Sequence, residues 1–285
     1  MAELRIGTCS WKYDSWRGII YSDNPNINYL KEYSNHYNTV EIDQWFWSLH
    51  KKSKATLPLP GVVKGYNISV PENFKFSIKI PNSITLTHFY RKSKYEPLMA
   101  NPFYLSEDLY NSFWKTIKPF GDKIGPLMFQ FEYLNKQKMK SQEDFFVQVG
   151  SFVQSINKGK LLAIETRNPN YLNREYFQFL NDNGLIHVFL NGYYMPSVID
   201  IYEKYREEIR NTVVIRLHGP DRKGIEKKAD GDWSRIVESK DEELRNIAEV
   251  IKDILRREVD VYLNVNNHYE GCAPLTIEKI KEIFE

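Results

Sequence analysis

The stretch LLAIETRNPNYLNREYFQFLNDNGLIHVFL, residues 161–190, holds one complete strand–helix–strand unit. Leu161–Glu165 and Leu185–Leu190 are short apolar runs of strand length. Between them, Arg174–Asn183 places apolar residues at three- and four-residue spacing, which is typical of an amphipathic helix. A crossover of this length joins parallel strands, because antiparallel neighbours need only a tight turn. The stretch therefore predicts a parallel sheet with helices packed against it.

The same alternation extends over the whole 285-residue chain. Six further apolar runs are predicted as strands: Leu4–Cys9, Thr39–Ile42, Lys75–Ile80, Pro126–Phe131, Thr212–Leu217 and Val259–Val265. Helices are predicted over Tyr29–Tyr37, Pro60–Ser69, Glu107–Ile117, Glu143–Ile156, Ser197–Ile209 and Asp241–Arg257. Thr276 is expected to cap a final helix whose apolar face is Ile277, Ile280 and Phe284.

Eight strand–helix units predict an α/β fold, a single (β/α)8 TIM-type barrel that spans residues 1–285. Such a barrel typically needs about 250 residues. A doubly wound open sheet is the alternative, but it is expected to carry a Gly-rich loop after the first strand, where residues 7–11 read GTCSW. The longest loop-like stretch, residues 87–106, follows the third strand and is predicted to be a lid or an interface loop.

Composition narrows the class of protein. The 39 Lys and Arg residues nearly balance the 37 Asp and Glu residues, so the net charge of +2 gives no general argument for nucleic-acid binding. No apolar run approaches the roughly 20 residues of a membrane span, and the amino terminus lacks the layout of a signal peptide. We therefore expect a cytoplasmic protein. The sequence has no P-loop, dinucleotide or serine-elbow motif, so no nucleotide cofactor is predicted.

Polar residues end every predicted strand, and in a barrel of this kind the active site lies at the carboxyl ends of the strands. Glu41, Glu165 and His218 are the predicted catalytic residues. A carboxylate pair can act as general acid and base, and histidine titrates near neutral pH. A divalent metal ion, Mg²⁺ or Mn²⁺, on the same three side chains is a second interpretation. A structural role, with each carboxylate paired to a neighbouring Arg or Lys, is the third.

Substrate contacts are predicted for a second set of residues at the same strand ends: Trp11, Trp16, Lys79, His88, Gln130, Arg167, Arg216, Asn266 and Asn267. The cationic members would neutralise an anion, because a guanidinium binds phosphate or carboxylate with two parallel hydrogen bonds. The tryptophans would stack on a ring. The asparagines can hydrogen-bond to sugar hydroxyls or phosphate oxygens, and a turn role suits them equally well.

Several segments, read in order, resemble one known family. They are IGTCSW (6–11), Trp16-Arg17-Gly18, NTVEID (38–43) with Phe46, FKFSIKIP (74–81), Leu86-Thr87-His88, GPLMFQF (125–131), AIETR (163–167), VIRLHG (214–219) and VNNHYEGCAP (265–274). The pattern is similar to that of the YecE-like family, also called domain of unknown function seventy-two. The resemblance covers nearly the whole chain and implies a TIM-type barrel, in agreement with the strand count.

The resemblance implies less about activity, because the family has no established reaction. Its barrel is similar to those of sugar isomerases and metal-dependent apurinic-site endonucleases, which implies a phosphoester or nucleic-acid role by analogy of fold. By position the resemblance extends to Trp11, Trp16, Asn38, Glu41, Lys79, His88, Gln130, Glu165, Arg167, Arg216, His218, Asn266 and Asn267. The chain departs from the family pattern at three places: Glu132-Tyr133 for Pro-Pro, Tyr171 for Trp, and His268 for Asp.

We therefore predict an enzyme whose substrate is small and is either anionic or similar to a sugar or a nucleotide. The reaction would be phosphoester hydrolysis, a lyase reaction or an isomerisation. The first alternative is a nucleic-acid-binding protein without catalysis, because aromatic and basic residues interleave in WKYDSWRG (11–18) and HFYRKSKY (88–95). The second is a protein-partner surface on the Tyr-rich segment 87–110. The aromatic surplus, 19 Tyr and 6 Trp, falls largely after the strands and indicates a ring-stacking site there.

Overall fold

Eight strands, all at the predicted places, form one parallel sheet in the computed structural model, which describes residues 2–51, 54–91, 93, 95–156 and 161–284. We number them β1 (Leu4–Thr8), β2 (Thr39–Ile42), β3 (Lys75–Lys79), β4 (Ile124–Gln130), β5 (Leu162–Glu165), β6 (Ile186–Gly192), β7 (Thr212–Gly219) and β8 (Asp260–Val265). Two short antiparallel strands, Leu49–Lys51 and Lys54–Ala55, follow β2 and pair only with each other.

The order of hydrogen-bonded neighbours is β1-β8-β7-β6-β5-β4-β3-β2, so the sheet passes through every barrel strand and returns to its start. Cys9, just after β1, forms a parallel bridge with Glu41 of β2. This bridge joins the two ends of the sheet. The predicted TIM-type barrel is confirmed, because eight parallel strands alternate with helices around one nearly closed sheet.

Side chains complete the seam between β1 and β2. The Thr8 N–H donates to the Tyr33 hydroxyl at 2.8 Å, and that hydroxyl donates to the Thr39 carbonyl at 3.0 Å. Asn38 Oδ1 accepts a hydrogen bond of 3.1 Å from the N–H of Ile6, two residues before Thr8 in β1. Gly7 is required here, because a Cβ at that position would lie 2.0 Å from the Thr39 oxygen. The phenol thus replaces a direct backbone hydrogen bond where the barrel closes.

Helices follow the strands in turn. They are α1 (Tyr29–Tyr33), α2 (Pro60–Ser69), α3 (Glu107–Ile117), α4 (Gln142–Ser155), α5 (Arg174–Asp182), α6 (Val198–Tyr205), α7 (Asp241–Arg256) and α8 (Ala273–Phe284). Further elements in the connections are the α-helices Asn82–Thr85 and Arg222–Ala229 and the 3₁₀ turns Asp14–Trp16, Lys118–Lys123, Pro169–Tyr171 and Arg206–Glu208. None of the helices in the described ranges is both long enough and apolar enough to cross a membrane.

The carboxyl-terminal helix α8 starts earlier than predicted. It begins at Ala273, whose N–H donates to Asn267 Oδ1 at 2.8 Å. Thr276 therefore lies inside the helix, and its hydroxyl donates to Glu270 Oε2 at 2.7 Å instead of capping the helix. The prediction of a cap at Thr276 is wrong, because the asparagine side chain already satisfies the free amide at the helix start.

The inside of the barrel holds an apolar cluster that is separate from the large core between strands and helices. Its members are Met128, Ala163, Ile186, Val188, Val214 and Tyr262. Side chains two residues apart in a strand point to the same face. Gln130, Glu165 and Arg216 each lie two residues beyond a member of this cluster. Their side chains therefore lie next to this apolar cluster, on the side of the carboxyl end of the barrel.

Asn101 holds the start of the segment 87–106 in place by hydrogen bonds. The Asn101 Nδ2 donates to the carbonyl of Leu86 at 2.6 Å, and its backbone N–H donates to the carbonyl of Thr87 at 3.0 Å. Lys92 and Lys94, part of the predicted lid and of the second aromatic–basic motif, lie outside the described residues. The described part of the segment is thus tied to the end of β3, beside the carboxyl end of the barrel.

Candidate functional site

Arg216, on β7, organises the carboxyl end of the barrel. The residue is 1% exposed and reaches carboxylates from two other strands. Its Nε donates to Glu41 Oε2 at 2.8 Å, and its Nη2 donates to Glu41 Oε1 at 2.6 Å. Its Nη1 donates to Glu165 Oε2 and lies 3.5 Å from Gln130 Oε1. Four residues that the sequence predicts for the site are therefore joined in one cluster.

Glu165 is held by two arginines. Its Oε1 accepts a hydrogen bond of 2.7 Å from Arg167 Nε, while its Oε2 accepts from Arg216. Burial raises the pKa of the Glu165 carboxyl, but Arg167 and Arg216 outweigh burial and lower it to about 2. A carboxylate with this pKa stays ionised at neutral pH and is a weak proton acceptor. Glu165 is therefore suited to positioning the arginines, rather than to the general-base role predicted for it.

The donor atoms do not suit the predicted metal site. Both Glu41 oxygens accept hydrogen bonds from Arg216, and the Glu165 oxygens accept from Arg216 and Arg167. The Arg216 guanidinium thus occupies the space between the carboxylates. Within the described ranges, no group of three or more His, Cys, Asp or Glu side chains is arranged to hold a metal ion. The metal interpretation of Glu41, Glu165 and His218 is corrected, because the two carboxylates hold an arginine instead.

His218 meets the same cluster through Cys9. The Cys9 Sγ donates to Glu41 Oε2 at 3.5 Å and lies 3.7 Å from His218 Nε2. Because a thiol has one hydrogen, and Cys9 gives it to Glu41, the sulfur can only accept from His218 Nε2–H. The lone pair of the imidazole then lies on Nδ1. This atom is buried and has no hydrogen-bond partner among the residues that the structure describes.

Both groups are neutral at neutral pH. Burial and the Glu41 carboxylate raise the pKa of the Cys9 thiol well above its usual value. Burial and the positive charge of Arg216 hold the pKa of His218 well below its usual value. His218 is therefore an uncharged imidazole whose Nδ1 can accept a hydrogen bond, but its low pKa makes it a weak proton acceptor, so the acid–base role predicted for it is not favoured.

Lys79 extends from the end of β3 into the same cluster. The residue is 8% exposed, and its Nζ lies 3.9 Å from the centre of the Phe46 ring. It forms no hydrogen bond or ion pair within the described part of the chain. Burial and Arg216 lower the pKa of the Lys79 ammonium to about 8, although Glu41 and the other carboxylates oppose the shift. Lys79 thus has N–H donors that no described residue accepts, and it loses its proton more readily than an ordinary lysine.

Arg167 offers a second set of unused donors. Its Nε binds Glu165, and its guanidinium lies over the Tyr193 ring, 4.6 Å from the ring centre. Its two Nη atoms make no hydrogen bond to a described residue. Stacking on an aromatic face leaves the edge of a guanidinium open for bidentate contact with phosphate or carboxylate. Arg167 therefore fits the predicted anion-binding role better than Arg216, whose donors already bind Glu41 and Glu165.

Four aromatic side chains stand at the entrance above these charges. Trp47 is 62% exposed and packs 6.1 Å from Tyr90, measured between ring centres. Tyr133 packs edge-to-face against Tyr194 at 6.3 Å. The charge of Arg167 acts on the phenols of both Tyr90 and Tyr194, so the guanidinium lies near a member of each pair. We name these four rings the entrance aromatics, and their exposed faces suit a sugar or a base.

Several predicted contact residues have structural roles instead. Trp16 is fully buried in the main core and presents no face to a ligand. Asn267 caps α8, and Asn266 Oδ1 accepts a backbone hydrogen bond of 2.9 Å in the turn after β8. Asn38, included through the family resemblance, lies at the opposite, amino end of the barrel. Folding alone accounts for these four residues.

Two predicted residues lie at the edges of the cluster. Trp11 is largely buried, packs edge-to-face on Tyr66 at 5.0 Å, and lines a side cavity of about 440 Å³ together with Gln44. His88 is the second residue of the segment 87–106, and its Nδ1 lies 2.9 Å from Oγ1 of Thr87, the first. Another cavity, of about 430 Å³, opens at the amino end of the barrel and includes no residue of the charged cluster.

The structure adds three side chains for which the sequence predicts no role: Cys9, Asp43 and Lys138. Asp43 is half-buried two residues after Glu41, and burial together with the Glu41 charge raises the pKa of its carboxyl. Cys9 and Asp43 both follow a strand directly, so their positions in the sequence could have indicated a place in the site. Lys138 carried no such signal, because it arrives from the loop after β4 to bind Glu132 at 2.5 Å.

Comparison with known proteins identifies the family. The family model described as "Protein of unknown function DUF72" matches residues 5–285. A DUF72 family protein from Enterococcus faecalis superposes with a TM-score of 0.68 at 19% identity, over 98% of this chain and 94% of its own. A DUF72 family protein from Thermotoga maritima superposes with a TM-score of 0.67 at 19% identity, over 99% of both chains. No curated protein matches the sequence. Because the family model spans nearly the whole sequence, the chain belongs to the DUF72 family that its motifs resemble.

Proposed function

We propose that this protein is an enzyme that acts on a small anionic, sugar- or nucleotide-like substrate in the charged cluster at the carboxyl ends of the strands. The observation that carries the proposal is unused hydrogen-bonding capacity on Lys79 Nζ, the Arg167 Nη atoms and His218 Nδ1. A buried polar atom without a partner costs about 1–3 kcal/mol. His218 Nδ1 is one such atom, whereas Lys79 Nζ and the Arg167 Nη atoms reach solvent. A buried acceptor beside two cations whose donors no described residue accepts is expected of a site that a ligand completes.

Each group has a role that follows from its chemistry. Arg167 and Lys79 would bind the anionic group, since their donors are not used within the described structure. Arg216 adds positive charge to the site, while Glu41 and Glu165 keep its guanidinium in place. The uncharged His218 would accept a hydrogen bond from the substrate at Nδ1. These groups serve phosphoester hydrolysis, lyase and isomerase chemistry alike.

The entrance aromatics support a substrate that contains a ring. A member of each aromatic pair lies within the electrostatic reach of Arg167, so an anion bound there would bring the rest of the substrate near Trp47–Tyr90 or Tyr133–Tyr194. Tyr90 belongs to the segment 87–106, which would form one wall of the entrance. This arrangement is consistent with the lid role predicted for that segment.

Nucleic-acid binding without catalysis has less support. In the first aromatic–basic motif, Trp16 is fully buried, and Arg17 Nη1 donates to two backbone carbonyls at 2.7 and 2.9 Å. These groups hold the chain after β1 together and are not arrayed on a surface. In the second motif, Lys92 and Lys94 lie outside the described residues. The buried charged cluster favours a small substrate over a polymer backbone.

The test measures ligand-induced stabilisation. The midpoint of thermal unfolding is compared with and without ribose 5-phosphate, adenosine monophosphate and glycerol 3-phosphate, and with the phosphate-free forms ribose, adenosine and glycerol. A compound at about one hundred times its Kd stabilises the folded state by about 2.7 kcal/mol. We expect stabilisation by phosphorylated members of the set, because Arg167 and Lys79 require an anion.

A matched pair of variants locates the binding. Arg167→Gln should abolish the shift in midpoint, whereas Arg174→Gln should keep it, because Arg174 is exposed and pairs with Glu208, outside the charged cluster. Equal shifts in the two variants, or no shift with any phosphorylated compound in the wild type, would contradict the proposal.

A further inference from the structure

We propose that Lys79 acts as a nucleophile whose amine forms an imine with the aldehyde or ketone group of a small anionic carbonyl compound. This inference rests on the proposed function, because it uses the same strand-end site. It narrows the substrate class to carbonyl compounds, of which open-chain sugar phosphates are an example. Its support comes from the placement of the amine, its lack of partners and the groups around it.

A second buried lysine shows what is unusual about Lys79. Lys123 precedes β4 and is 4% exposed. Its Nζ donates to the carbonyls of Asn67 and Val70 at 2.9 and 3.0 Å and pairs with Glu72 at 3.1 Å. Its ammonium therefore has two hydrogen-bond acceptors and a carboxylate partner. Lys79 is nearly as buried, yet its ammonium lies on an aromatic ring with no acceptor in the described ranges. A structural lysine would be expected to resemble Lys123.

The surroundings of Lys79 favour its neutral form. The charged and titratable groups that face it come from three strands and their ends: Glu41, Asp43, Glu165, Arg216 and His218. Burial and Arg216 lower its pKa to about 8. At pH 7 roughly a tenth of the molecules then carry the neutral amine, against roughly one in 2,500 for an ordinary exposed lysine. Only the neutral amine has the lone pair that attacks a carbonyl carbon.

The step balances without an external oxidant or reductant. The Nζ lone pair bonds to the carbonyl carbon, the carbonyl oxygen takes a proton, and a carbinolamine forms. The carbon–oxygen bond then breaks, and the hydroxyl leaves as water with a second proton. Overall, the Lys79 ammonium and the carbonyl give a protonated imine and one water molecule. The proton that the ammonium loses before the attack returns when the hydroxyl leaves as water. His218 Nδ1 can accept a hydrogen bond from the carbinolamine hydroxyl, while Arg167 binds the anionic group.

Reductive trapping tests the imine. The protein is incubated with glyceraldehyde 3-phosphate and sodium cyanoborohydride, which converts an imine into a stable secondary amine, and peptide mass spectrometry locates the labelled lysines. At pH 8 we expect Lys79 to be labelled about tenfold faster than an exposed lysine such as Lys31, because its neutral fraction is far larger. The rate at Lys79 should rise with pH up to about 8 and then level off. Lys123 should remain unlabelled.

Two controls separate this inference from the proposed function. Glycerol 3-phosphate has the phosphate but no carbonyl, so it tests the anion site alone. Lys79→Arg keeps a positive charge and should lose the adduct at residue 79 while glycerol 3-phosphate still stabilises the variant. If glycerol 3-phosphate stabilises the wild type but Lys79 is labelled no faster than Lys31, the imine is wrong and the anion site stands. If neither compound binds, the proposed function falls, and the imine falls with it.

Discussion

The two ends of the barrel hold their buried cations in different ways. At the amino end, Arg5 Nη1 donates to a backbone carbonyl at 2.9 Å, and Lys123 donates to two carbonyls at 2.9 and 3.0 Å. At the carboxyl end, Lys79 has no acceptor among the described residues, and Arg167 uses only its Nε. The same eight strands form both ends. The difference therefore comes from the loops, which supply carbonyl acceptors at one end and aromatic rings at the other.

This difference separates stability from function within one fold. A cation whose donors all reach acceptors fixes the loops around it and stabilises the folded state. A buried cation with unused donors carries a desolvation cost without full compensation, so folding alone gives no reason to keep it. If removing a cation changed stability equally at the two ends, the comparison would be wrong. Different changes at the two ends would support it.

The largest effect is expected from removing Arg216. Arg216→Met leaves Glu41 and Glu165 buried and without their shared partner, which should lower the free energy of unfolding by about 3–5 kcal/mol. Urea denaturation at neutral pH measures this loss. Arg174→Met is the matched control, since that exposed arginine pairs with Glu208 and should change stability by less than about 1 kcal/mol. A similar loss in the two variants would show that the carboxyl-end cluster adds no stability.

The next effect concerns the pH dependence of the Glu165 contribution. Its pKa falls from 4.5 to about 2 on folding, so its contribution is complete above pH 4.5 and is lost as the pH falls toward 2. Glu165→Gln should therefore be less stable than the wild type by roughly 3 kcal/mol at neutral pH, with the difference shrinking below pH 4.5. Urea denaturation across this pH range gives both curves. A difference that stays constant with pH would contradict the assigned pairing with Arg167 and Arg216.

The smallest effect compares the two buried lysines directly. Lys123→Met leaves two buried carbonyls without their donor and should cost about 1–3 kcal/mol. Lys79→Met removes no hydrogen bond within the described structure. The free energy of unfolding should therefore stay the same or rise by up to about 1 kcal/mol. Paired denaturation curves in one buffer decide the ranking. The reverse order would mean that Lys79 is the structural lysine, which would remove the main support for its role as a nucleophile.

The barrel could be predicted from the sequence because its evidence is local. Each of the eight barrel strands lies within two residues of its predicted position, since short apolar runs bounded by turns are visible without any partner. The helix Arg222–Ala229 was not predicted, because its own local pattern is weak. Its residues read RKGIEKKA and bury only Ile225 and Ala229, so its pattern is weaker than that of an amphipathic helix.

The candidate site could be predicted only in part. The positions of Glu41, Glu165, Arg216 and His218 follow from strand ends, which the sequence shows. The role of Trp16 does not, because an aromatic residue after a strand can face the entrance or the core, and Trp16 is fully buried. Whether a ring faces a ligand depends on packing against elements that are distant in sequence.

The sequence by itself determined that charged residues from several strands meet at one end of a barrel, because strand spacing and parallel pairing are properties of short segments. The tertiary structure decided which of them are already paired. Arg216 lies between Glu41 and Glu165, which are 175 and 51 residues away along the chain. Distances of a few ångströms between such residues depend on closure of the whole barrel. The nearby arginines lower the pKa of Glu165, and burial together with Arg216 lowers that of Lys79. Arg167, Lys79 and His218 are left as the groups with capacity for a substrate.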